Sequence, residues 1–272
     1  MGETKTLLVI GEMPDLAERL SQALRPGGWQ VDGPLVGDDA AAAAREERYE
    51  LIVADGAHWM ERVPGKPMLV VERSSSPEHV LTCIRAGAFS YFSEPFDVRV
   101  VADMILRAAA EPGWTDDLKL VSGTPEWVEI HARCKTQAVE RLVQYMREML
   151  RDLEPADGDA LSTAVREILL NGMEHGAGSD ESQRLQLACV RTRRAIEFYI
   201  RDPGEGFSWD ALPHAAVSNP PDSPTSHIDY RSEHGLRPGG FGILLARNLV
   251  DELVYNEKGN EVRIIKYLDP DQ

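Results

Sequence analysis

The stretch VREILLNGMEHG, Val165 to Gly176, places a glutamate, an asparagine and a histidine at intervals of four residues: Glu167, Asn171 and His175. On an apolar-periodic segment this spacing predicts a helix, expected over Leu161 to Met173, with the three polar groups on one face. A carboxylate beside a side-chain amide suits phosphate chemistry. The first can take a proton from an attacking hydroxyl, and the second can ligate a hard divalent cation. The same three residues also suit a plain solvated helix face, and by themselves they do not separate the two readings.

The elements that would have to position them follow downstream. A strand pattern, Ala195 to Ile200, runs into Asp202, Gly204 and Gly206 of DPGEGF, and Gly239, Gly240 and Gly242 open a second helical pattern in RPGGFGILLARNLVDEL. Glycine permits positive φ and close approach of the backbone to a ligand, although Asp-Pro-Gly is also a common turn. Backbone N–H groups at a helix start offer an anion site, reinforced by the helix dipole.

The joint order of helix with Glu and Asn, strand with Asp-Gly turn, and glycine turn into helix resembles the N, G1 and G2 boxes of the GHKL ATP-binding superfamily. The ending GNEVRIIKYL, Gly259 to Leu268, is similar to the anti-sigma-factor serine kinases within it. The resemblance spans residues 118–268. It implies a Bergerat-type α/β sandwich that binds ATP and Mg²⁺, with Asn171 on the metal and Glu167 as general base. His175, Asp202, Gly204, Gly206, Gly239, Gly240 and Gly242 would line the nucleotide site, Asp202 selecting adenine through its exocyclic amine. The interval Ser208 to Pro238 is too long for a simple connector and corresponds to the family's ATP lid, with Arg231 and Arg237 as phosphate-reaching cations. Where the family frequently has Arg in the G2 turn, this chain has Phe241.

The resemblance further implies an ATP-dependent protein-serine/threonine kinase acting on an anti-sigma-factor antagonist, with a sigma factor as competing partner and a homodimer as the assembly. The alternative is an ATP-gated protein-binding switch without phosphoryl transfer. Glu167 together with Asn171 favours the enzyme, since a pure switch needs no general base. A sensor histidine kinase is disfavoured, because His131 falls in a strand pattern, WVEIHARC, with no helical hairpin after it. A helix of Gln137 to Leu153 capped by Thr136 follows that strand, PADGD reads as turn material, and Leu185–Val190 and Ala195–Ile200 read as a hairpin through RTRR.

Residues 5–110 alternate strand and helix patterns: strands at KTLLVIG, around Trp29–Val31, at YELIVAD, PMLVV and SYF, and helices over Asp15–Leu24, Asp38–Arg48, Pro77–Ala86 and Asp97–Ala109. The alanine-rich second helix would be capped by Asp38 or Asp39. Such βα repeats predict a doubly wound parallel sheet. The stretches LLVIGEMPD, YELIVAD and AGAFSYFSEPFD resemble a response-regulator receiver domain, a flavodoxin-like fold with its site at the carboxyl ends of the strands. At the family's functional positions stand Gly11 and Glu12, Asp55, Glu72, and Glu94 before Pro95. Asp55 is retained, but Glu72 and Glu94 replace the hydroxyl and the lysine, and added carboxylates would oppose a phosphoaspartate. The half therefore reads as a pseudo-receiver, with little room for a third helix between Asp55 and Pro67. The expected organisation is 1–110 receiver-like, 111–117 linker and 118–272 ATP-binding.

At 272 residues, 43% hydrophobic and 27% charged, the chain can form two soluble globular domains. A formal charge of -16 without a basic stripe disfavours nucleic acid. No membrane-spanning or leader pattern stands out. Cys83, Cys134 and Cys189 lack zinc-site spacing and read as reduced core residues of a cytoplasmic protein. His227 and His234, with Asp229 and Glu233 between them, read as a solvated loop.

Overall fold

The computed structural model describes residues 5–63, 65–110, 113–206 and 241–268. Its backbone divides into two compact units: residues 1–116 with 144–151, and residues 117–143 with 152–272.

In the first unit, the strands β1 (Thr6–Ile10), β2 (Gln30–Leu35), β3 (Leu51–Ala54), β4 (Met68–Glu72) and β5 (Ser90–Ser93) form one sheet in the order β2-β1-β3-β4-β5. Every pairing is parallel. This is the flavodoxin-like order. Alternation along the strands feeds two cores. Leu7, Val9, Leu51, Val53, Leu69 and Val71 pack with α1 (Leu16–Leu24) and α5 (Val98–Ala110). Leu8, Ile10, Ile52 and Ala54 pack with α2 (Gly37–Ala43) and α3 (Trp59–Arg62). Helix α4 (Pro77–Ala86) carries the Ser76 cap, whose hydroxyl accepts from the His79 N–H at 3.3 Å.

Two local expectations change. Helix α2 stops at Ala43 rather than Arg48, because the chain turns to bury Tyr49 ahead of β3. Asp38 and Asp39 lie within its first turn, not at the cap, where they complement the helix dipole. The third helix is a single turn.

Residues 144–151 complete this unit. Gln144 Nε2 donates to the Tyr91 carbonyl at 3.0 Å, Tyr145 hydroxyl to the Ala88 carbonyl at 2.7 Å, and Ser93 hydroxyl to Glu148 Oε2 at 2.5 Å. Burial pushes the Glu148 carboxyl above its usual range, with the Ser93 hydroxyl opposing.

The second unit is an antiparallel sheet of β6 (Leu118–Thr124), β7 (Trp127–Arg133), β8 (Arg184–Arg191), β9 (Ala195–Arg201), β10 (Glu252–Tyr255) and β11 (Glu261–Tyr267), ordered β10-β11-β9-β8-β7-β6. Val128, Ile130, Leu185, Leu187, Phe198, Ile200, Val262 and Ile264 alternate into its core. Among the described residues, α7 (Pro155–Asn171) and α8 (Gly242–Leu249) accompany this sheet together with the part of α6 (Thr136–Met149) that precedes residue 144, and α7 packs on β9 and α8. Strand β6 has no counterpart in the sequence reading, and α6 ends at Met149 rather than Leu153. PADGD is the first turn of α7 rather than a preceding turn, since Pro155 at its start is pre-set for the helix and needs no N–H partner.

Candidate functional site

Helix α7 buries Leu161, Ala164, Val165, Ile168 and Leu169, and this stripe fixes its rotation. Glu167 and Asn171 stand on its half-buried flank, one turn apart. The helix ends at Asn171. Gly172–Gly176 form a single π-helical turn, closed by the Ala177 N–H on the Gly172 carbonyl at 2.8 Å. The wider turn breaks the four-residue repeat, so His175 is exposed and does not extend the Glu167–Asn171 face as an α-helix would.

The start of α8 lies against that pair. A β-carbon at Gly242 would stand 3.1 Å from both Asn171 Nδ2 and Glu167 Oε2. Phe241, just before it, is exposed. Glu167 Oε1 accepts from Arg166 Nη1 at 3.2 Å, a partner that sequence spacing did not suggest.

The π turn approaches Asp202, which follows β9. A β-carbon at Gly172 would lie 3.3 Å from Asp202 Cβ, and one at Gly176 would collide with the Asp202 carboxylate. At Gly204 it would lie 2.5 Å from the Gly176 carbonyl oxygen. Glycine is required at 176 and 204 for this close approach. Asp202 Oδ1 accepts from the Gly204 N–H at 2.8 Å, and its own N–H donates to the Asn260 carbonyl at 3.0 Å. Among the described residues none donates to Oδ2. Burial pushes the Asp202 carboxyl up, the Gly204 N–H and Lys258 opposing it.

The turn between β10 and β11 supports this loop. Asn260, buried, donates through Nδ2 to the Gly204 carbonyl at 3.3 Å, and Lys258 Nζ donates to the same oxygen at 3.2 Å. Asn256 Oδ1 accepts from the N–H groups of Gly259 and Asn260 at 2.7 and 3.1 Å. Gly206, with φ +83, passes beside the Lys258 carbonyl. These supports were not read from sequence, although the asparagines flanking Gly259 signal a built turn. Arg231, Arg237, Gly239, Gly240 and the lid segment, with His227 and His234, lie outside the described residues.

The arrangement fits a nucleotide. It offers a half-buried carboxylate in a glycine cradle, with one oxygen unengaged among the described residues, and an amide beside a carboxylate at the start of a helix. No group of three His, Cys, Asp or Glu among the described residues makes a metal site. Mg²⁺ carried on phosphates needs few protein ligands, and the Asn171 side-chain oxygen is of the right type.

Residues 132–266 match the family model described as the histidine kinase-like ATPase domain. This part of the chain is a histidine kinase-like ATPase domain. Its type implies use of ATP. The chain is 26% identical over 149 residues to the serine-protein kinase RsbW of Oceanobacillus iheyensis, covering 54% of this chain and 84% of that protein. It is also 31% identical over 120 residues to "Probable transcriptional regulatory protein TcrX" of Mycobacterium tuberculosis, covering 40% of this chain and 50% of that protein, so only half the length of that relative is spanned. Among solved structures, a response regulator from Thermotoga maritima aligns with 19% identity and a TM-score of 0.36, over 40% of this chain and 99% of that one.

In the first unit, Asp55, Glu72 and Glu94 are engaged as follows. Asp55 Oδ2 accepts from the Glu12 N–H and Oδ1 from the buried Trp59 indole N–H, each at 2.8 Å. Gly11, φ +107, leaves space for the carboxylate that a side chain would fill. Glu72 Oε2 accepts from Tyr91 hydroxyl at 2.9 Å and lies 3.0 Å from His79 Nδ1. Glu94 is exposed, and its N–H donates to the Glu72 carbonyl at 2.9 Å. No described helix is long and apolar enough to cross a membrane.

Proposed function

We propose that the histidine kinase-like ATPase domain binds Mg·ATP and transfers the terminal phosphoryl group to a serine or threonine hydroxyl on an anti-sigma-factor antagonist-type protein. A sigma factor would compete for the same domain. The observation that carries this reading is the convergence of Glu167 and Asn171 beneath Gly242, in a domain whose Asp202 sits in a glycine cradle. Similarity to serine-protein kinases named RsbW supports it.

Asp202 Oδ2 accepts from the exocyclic amine of adenine, and the Asn256–Asn260 turn holds the loop that bears it. Asn171 offers its side-chain oxygen to the metal, which when bound neutralises charge on the transferred group. Glu167 takes the hydroxyl proton as the acceptor oxygen bonds to phosphorus and the bond from phosphorus to the ADP oxygen breaks. Gly206, Gly239 and Gly240 would lend backbone to the nucleotide, Arg231 and Arg237 would serve its phosphates, and His175 would stand at the rim. We place the protein in the cytoplasm, a setting supported by the free, buried Cys83, Cys134 and Cys189, and read its working form as a homodimer. The receiver-like unit serves as a docking module that does not use Asp55 phosphorylation, since Trp59 and Glu12 engage both Asp55 oxygens.

Calorimetry with Mg·ATP tests the reading. Wild type binds, and Asn171→Ala and Asp202→Asn lose affinity. Binding unaffected by either change contradicts the proposed nucleotide site. Tight binding without transfer to any acceptor makes the domain an ATP-gated switch.

A further inference from the structure

Arg166 precedes Glu167 in sequence, and residues one apart on a helix point in different directions. Its guanidinium nevertheless returns to Glu167, because Glu140 on α6 anchors it. Arg166 Nε and Nη2 donate to Glu140 Oε1 at 3.0 and 2.5 Å, while Nη1 donates to Glu167 Oε1 at 3.2 Å. The three side chains are partly shielded from water, Glu140 most of all. One cation thus stands between two carboxylates.

We infer that Arg166 is a positioning residue for phosphoryl transfer, holding Glu167 oriented with Oε1 engaged and Oε2 toward Gly242 and Asn171. The inference rests on the proposed role of Glu167 as base. The planar guanidinium suits it to a two-sided task, since its donors lie in a fixed plane and can serve two acceptors at once. Glu140 prevents the guanidinium from swinging onto Oε2, the oxygen left to accept the hydroxyl proton. Among the described residues, the charged groups in the cluster are Glu140 from α6 and Arg166 and Glu167 from α7; Gly242 is what α8 presents to Glu167. The guanidinium itself is pushed to higher pKa, foremost by its bond to Glu140. Without it, the two carboxylates face each other with no cation between them, and their repulsion turns Glu167 out of line.

The test is steady-state transfer by the full chain, from Mg·ATP to an antagonist-type acceptor, with folding checked by circular dichroism. Arg166→Met lowers kcat about tenfold, a fraction of what a general base contributes. ATP affinity and KM for ATP stay unchanged. Arg166→Lys keeps most of the rate. Glu140→Gln added to Arg166→Met restores part of the loss, because the repulsion is gone; a merely structural role would make that second change additive or worse. The inference is overturned if Glu167→Gln abolishes transfer while Arg166→Met leaves kcat alone. It is likewise overturned if Arg166→Met loses ATP affinity together with rate, or if Glu140→Gln deepens its loss. Transfer that is absent in wild type, or that survives Glu167→Gln, removes the base role itself and the Arg166 inference with it.

Discussion

Gly242 lies so close to Asn171 that a β-carbon at 242 would stand 3.1 Å from the Asn171 side-chain nitrogen. Alanine there demands a shift of a few tenths of an ångström, whereas valine cannot be accommodated without moving α8 away from α7. Gly242→Val is expected to weaken Mg·ATP binding by about tenfold or more, equivalent to about 1.4 kcal/mol. Calorimetry on this variant and on Gly242→Ala, which should lose less, checks it.

Gly176 and Gly204 admit no side chain beside Asp202. Gly176→Ala forces the carboxylate or the π turn aside, and overpacking of this kind costs about 1–3 kcal/mol. Denaturant unfolding should show that loss, and nucleotide binding should fall with it.

Asp202 gives a pH dependence whose sign follows from its environment. Burial raises its folded-state pKa above the ordinary 3.8, so the ionised form costs stability at neutral pH. That cost is relieved as pH falls through the raised pKa toward 3.8, where the folded state holds the proton more tightly than the unfolded one. Asp202→Asn does not titrate. Without nucleotide it should melt above wild type at pH 7, the gap narrowing on acidification below the raised pKa, while its ATP affinity is lost. Thermal melts at a series of pH values measure this.

Much of the fold was legible where a segment's own pattern dictates its state. The apolar runs at β1, β3 and β4 mark strands buried on both faces, and Ser76, Pro77 and Gly87 punctuate α4 at both ends. What escaped depends on partners distant in sequence. Strand β6 is an edge strand with Val121 exposed, so its alternation is weak. Pro155 reads equally as turn or helix start until α7 has something to pack against. At the site, Glu167, Asn171 and Asp202 were visible by type and spacing. The π turn that displaces His175, the Asn260 and Lys258 bonds to Gly204, and the grip on Glu167 of an Arg166 anchored by Glu140 arise only once the chain is folded.

Asp55 in the receiver-like unit is expected to act as a structural acceptor. Asp55→Ala leaves the Trp59 indole and the Glu12 N–H without their partner, costing about 1–3 kcal/mol. Acetyl phosphate or beryllofluoride should leave the melting temperature and Trp59 fluorescence of wild type unchanged. A stabilising response to either, absent in Asp55→Asn, would restore a working phospho-acceptor.

The most direct measurement is transfer of radiolabelled γ-phosphate from ATP to an antagonist-type acceptor by wild type and by Glu167→Gln, with ATP affinity determined on the same samples. Wild type should label a serine or threonine of the acceptor, and Glu167→Gln should bind ATP as well as wild type yet label it at least about a hundredfold more slowly, the contribution of a general base. Equal labelling by the two proteins, or binding without labelling by either, would contradict Glu167 as the base of a protein kinase.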